Sequence, residues 1–238
     1  MSDNAAKSTG HFLDHPEVGQ LFASVFTTLI AESDRGAVMI GAVHVDFHLR
    51  KLFEEFAPRD ITRSKLQRIL DYPGPLSGMC AKADVAYLAR LLPRDLCQAI
   101  HHLRRVRNEV AHSPDSFRLA DHEDRIRKMY HIGPGFPVGI NRWACELILH
   151  TAVQNILKLK HPLSDEERPA FASPEEVFDY LSKSPEALAV LEEKRPRWEL
   201  GLGVALICSL IVHKRERTVA VLGDNKLIAS LAQEESNC

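Results

Sequence analysis

Residues 95–114, DLCQAIHHLRRVRNEVAHSP, decide how this chain is read. Leu96, Ala99, Leu103, Val106 and Val110 recur at helical spacing and form one apolar stripe. Turning each residue by about 100° gathers His101, Arg105, Asn108 and His112 on the opposite side. Arg104 lies between the two faces. Arg107 lies at the edge of the buried side, where a guanidinium needs a partner. Asp84, Asp34, Asp46 and Glu32 are the rival candidates for that role. Pro114 disfavours helical geometry at Ser113, so His112 is expected in the last turn.

Outward from this stretch the chain reads as a series of helices. Residues 17–31 carry Leu21, Phe22, Val25 and Leu29 on one side. Residues 36–56 are apolar nearly all round through Val45, the mark of a buried central helix, and Ala37 and Gly41 allow close approach of a neighbour. His44 and His48 stand four apart there; a hydrogen-bonded histidine near the core and one at the surface are expected rather than a metal site. A short helix at 62–70 has Arg63, Lys65 and Arg68 on its wet side. Ser77 is expected to cap a helix running to about residue 92, with Lys82 and Asp84 as solvated charges by default.

Beyond the central helix, residues 121–130 read as a short charged helix. Residues 131–139 hold three glycines and two prolines and read as a loop. Asn141 is placed to cap a long apolar helix to residue 160. Ser173-Pro174 and Ser184-Pro185 each mark a capped helix start with proline at the first position. Residues 200–212 form an apolar run that reads as a buried helix. Residues 210–222 also fit a hairpin across Lys214-Arg215-Glu216. The expected division is a disordered leader at 1–15, a helical domain at 16–160, and a C-terminal extension at 161–238 covering the helical body or a partner chain.

Arg107-Asn108-Glu109-Val110-Ala111-His112 sets an arginine and a polar residue ahead of a histidine. Two other segments accompany it: Ser33-Asp34-Arg35-Gly36-Ala37 running into Ile40-Gly41-Ala42, and Gly74-Pro75-Leu76-Ser77 followed by Ala81 to Tyr87. In these residues and their order, the chain resembles the HEPN superfamily, and within it most closely the mannitol operon repressor family. The resemblance spans roughly residues 20–130. It implies an all-α, antiparallel helical bundle. It also implies a homodimer in which two copies of Arg107, Asn108 and His112 share one cleft, as in HEPN ribonucleases of toxin or defence type.

Composition bounds the choices. The chain has 238 residues, 45% of them apolar and 26% charged, as in a globular protein. A net charge of −2 excludes a chain coated in basic residues, so any RNA contact must come from a local patch. Cys80, Cys97, Cys145, Cys208 and Cys238 form no C-x-x-C pair, so a reducing cytoplasm is expected and a structural zinc site is not. The polar start, MSDNAAKSTG, lacks an apolar signal core. The run at 200–212 is 13 residues long, against the roughly 18 that a membrane span needs. No cofactor, metal or membrane partner is expected.

The central helix has the groups that RNA cleavage needs. Histidine can move a proton near neutral pH, and arginine stabilises a charged phosphorane. Asn108 sits one turn below His112 and can orient the imidazole or hold a phosphate. His101, Arg104 and Arg105 would form a basic rim for the RNA backbone. Rival readings keep the residues and remove the reaction. In one, Arg107 and His112 form a buried pair that locks helices together. In a second, the protein is a non-catalytic transcriptional regulator acting through protein contacts, with a regulatory partner or antitoxin. In a third, it binds a nucleotide or similar ligand.

Overall fold

A computed structural model of the chain describes residues 16–58, 60–112, 117–160 and 169–235, with side chains described through residue 215. The expected leader at 1–15 and the first residues of the extension, 161–168, lie outside the described residues. The described chain is all helical, with no strand: α1 (Pro16–Ala31), α2 (Asp34–Phe56), α3 (Arg63–Leu70), α4 (Met79–Leu88), α5 (Arg94–His112), α6 (Glu123–Arg127), α7 (Phe136–Ile156), α8 (Pro174–Lys183), α9 (Pro185–Glu192) and α10 (Arg195–Glu235). The hairpin alternative for the tail falls: residues 210–222 lie within α10.

Local chemistry explains most boundaries. Ser33 Oγ accepts from the Gly36 amide and starts α2, and Thr62 Oγ1 accepts from Lys65 and starts α3. Ser173 and Ser184 cap α8 and α9, each with proline just inside, as the sequence suggests. Two expectations fail. Ser77 does not cap α4; Gly78 holds that place without a side-chain bond, and the Ser77 carbonyl serves Lys82 instead. Helix α7 starts at Phe136, inside the expected loop, and Asn141 lies within it. Gly135 takes a left-handed turn (φ 80°) at its N-cap and a proline sits in the first turn, so the same residues that signal a loop launch the helix.

One core runs through α1, α2, α4, α5, α7 and α10. Helix α10 supplies Leu200, Leu202, Val204, Ala205, Ile207, Cys208 and Ile211 to it. Gly41 of α2 lets Val204 of α10 lie where a larger residue would stand, and a methyl on Gly203 would overlap the Tyr130 ring. Phe22 stacks on Trp143, and Phe26 meets Trp198 edge-on. Val153, Val177 and Leu181 form a satellite cluster where α8 and α9 lie against the end of α7. Residue 160 therefore marks a change of composition, not the edge of the core, and the extension covers this chain's own body. The span 185–215 is long and apolar enough to cross a membrane, but 78% of its most apolar window is buried within the protein. Core packing accounts for that apolarity.

Glu199 is buried where α10 crosses α7. It accepts from Asn141 Nδ2 at 2.6 Å and from Arg195 Nη1 at 3.0 Å. Arg195 also donates to Glu123 at 3.0 Å, which ties α6 to the same knot. Asp34 accepts from Arg197 of α10 and from the Leu119 amide, so the start of α2 is anchored at two points.

Candidate functional site

Helix α5 buries Leu96, Ala99, Leu103, Val106 and Val110, the stripe read from sequence, together with Cys97 and Ile100. Its other face looks onto a cleft of about 680 Å³ between α2, α4 and α5. Arg104, Arg107 and Asn108 come from α5. Met39, Val43, Asp46, Phe47 and Arg50 come from α2, and the stretch from Ser77 to Ala81 closes the third side. Ala42, Ser77 and Ala81, and Arg107 with Asn108 thus come from three separate stretches of the chain to one cavity.

Arg107 and His112 are exposed, and Asn108 is half-buried. Arg107 Nη1 donates to Asn108 Oδ1 at 3.2 Å, and among the described residues it has no carboxylate partner. Its four candidate partners are otherwise placed or do not reach it. Asp84 binds His101, Asp34 binds Arg197 and Asp46 binds Lys82. A buried Arg107–His112 pair is therefore excluded: neither group is inside, and α5 is held by its apolar stripe. His112 lies one turn beyond Asn108, outside the residues that line the cleft. The Val110 carbonyl beside it accepts from Arg35 Nη1 at 2.8 Å, so an α2 guanidinium caps the last turn of α5.

The expected basic rim divides. Arg104 lines the cleft beside the Cys80 thiol, and Arg105 is exposed. His101 turns to α4, with its Nε2 2.7 Å from Asp84 Oδ1, so it does not face the cleft as an RNA ligand. Lys82 corrects another expectation: it is 1% exposed, and its ammonium donates to Asp46 at 2.7 Å and to the Ser77 carbonyl at 3.2 Å. Sequence reasoning also missed Val43 and Phe47, which stay exposed at the cleft. The signal was available, since an apolar residue on every side of α2 cannot all be core.

Histidines on α2 differ from expectation as well. His48 is buried but its Nδ1 has no hydrogen-bond partner. Burial, then the nearby His44 and Arg215 charges, push its pKa down to about 4. Burial likewise lowers that of His44. Cys97 lies 3.7 Å from the Asp84 carboxylate, and burial followed by that negative charge raises its thiol to about 11. Comparisons with family models, curated proteins and solved structures find no match to this chain.

Proposed function

We propose that this protein is a homodimeric, metal-independent endoribonuclease in which His112 moves the proton and Arg107, with Asn108, holds the phosphate. One observation carries the reading: Arg107 and His112 point to solvent on the same end of α5, and no described carboxylate neutralises either. A guanidinium at a cleft with no carboxylate partner is ready for a phosphate oxygen. Arg104 adds a second positive charge, and exposed Phe47 and Val43 offer a surface against which a base can stack. One subunit presents one such histidine, so the acid and base roles call for two copies across a two-fold axis. Attack by the 2′-hydroxyl restricts the substrate to RNA. A reducing cytoplasm suits the cysteines, of which Cys80, Cys97, Cys145 and Cys208 are free.

The experiment uses the full chain, an RNA strand, and the same strand with deoxyribose throughout. Cleavage of RNA alone, giving cyclic-phosphate and 5′-hydroxyl ends, is the expected result. Equal cutting of both strands would remove the 2′-hydroxyl from the mechanism and with it the proposal. The exposed Val43 and Phe47 also suit a second reading, a mannitol-repressor-type regulator that grips a protein partner there. That reading expects intact RNA and a stoichiometric complex lost in Phe47→Ser.

A further inference from the structure

Helices α4 and α5 pack against each other, and each presents a pair of metal-binding residue types one turn apart: Cys80 and Asp84 on α4, Cys97 and His101 on α5. The ligand atoms of Asp84, Cys97 and His101 all lie within 4.8 Å of one another. His101 Nε2 is 2.7 Å and Cys97 Sγ 3.7 Å from the same Asp84 oxygen. In a tetrahedral zinc site, bonds of about 2.0–2.3 Å set ligand atoms roughly 3.3–3.8 Å apart. The cysteine–aspartate separation already meets that, and the aspartate–histidine contact needs to open by about half an ångström.

We propose that Asp84, Cys97 and His101 bind a zinc ion that clamps α4 to α5. The donor set argues for the metal. One thiolate, one imidazole and one carboxylate suit zinc, whereas magnesium and calcium take oxygen ligands. Cys97 is 6% exposed, so its sulfur meets the ion from the protein side, while Asp84 and His101 leave an approach from solvent. Binding replaces the thiol proton: the Cys97 S–H bond breaks, a sulfur–zinc bond forms, and the proton passes to solvent. The fourth position is left to water. Helical i, i+4 pairs on two neighbouring helices lack the C-x-x-C signature, which explains why the spacing in the sequence did not suggest zinc. The ion takes no part in the proposed cleavage.

The test titrates cobalt(II), then zinc(II), into the reduced, metal-stripped full-length protein. The expected result is one cobalt per chain, with a thiolate-to-cobalt charge-transfer band and the intense visible bands of a tetrahedral site, all bleached by zinc. Cys97→Ser should abolish the charge-transfer band. The surface variants Asp84→Asn and His101→Ala should weaken binding by about tenfold or more. Cys145→Ser, on α7, should change nothing. Absence of the band in the native protein would overturn the site, as would its survival in Cys97→Ser or unaltered affinity in both surface variants. RNA cleavage is assayed in chelator, so neither result decides the other.

Discussion

His48 is the residue whose burial has the plainest consequence. Its pKa of about 4 in the fold lies below the roughly 6.5 of an unfolded histidine. The unfolded chain therefore binds the proton first as pH falls. The stability that neutral His48 allows is full above about pH 6.5 and is lost as pH drops towards about 4. The loss over that window should be about 2–3 kcal/mol. Urea unfolding of native protein and His48→Gln at several pH values checks it; parallel curves would contradict it. Gly203 is a second such point. A methyl there meets the Tyr130 ring inside the core, so Gly203→Ala should cost about 1–3 kcal/mol, read from the denaturation midpoint. Lys82 belongs to the same scale. Lys82→Met keeps the bulk but strands the half-exposed Asp46, whose carboxylate can rehydrate, and should be tolerated better than Asp46→Ala, which strands a buried ammonium.

At the scale of elements, the caps carry the clearest expectations. Ser33→Ala removes the bond to the Gly36 amide and should lower stability by about 1 kcal/mol, measured by chemical unfolding. An unchanged midpoint would mean that the Asp34 anchors hold the start of α2 unaided. The same elements show what the sequence made legible. The stripe of α5, the proline-started α8 and α9 and the limits of α1 follow from periodicity and caps, which are local. What escaped was decided by distant partners. Asp84 reads as a solvated charge until α5 is laid against α4. Lys82 is buried against Asp46, two helices back in the chain, and Asn141 leaves its capping role for Glu199. Arg107 shows the limit in reverse, since its helical angle suggests burial and the open cleft leaves it wet.

Over the whole molecule, α10 is expected to decide whether the rest folds. It runs against α1 and α2 and buries Leu200, Val204, Ile207 and Ile211 in the core they share. A chain ended after residue 194 exposes Leu29, Val38 and Val45 and should lose its cooperative thermal transition in circular dichroism. A sharp melt in that truncation would show that residues 16–160 hold a core of their own. The satellite of α8 and α9 packs its apolar residues against the end of α7, so losing its contacts should cost far less. Helix α5 buries its apolar stripe in this core, and its outward face presents Arg107, Asn108 and His112. The most direct measurement is RNA cleavage by the purified full-length protein in excess chelator, for native protein and the folded variants Arg107→Ala and His112→Ala. Native protein should cut, and each variant should lose at least about 100-fold in rate; intact RNA with native protein, or undiminished cutting by either variant, would contradict the proposed site.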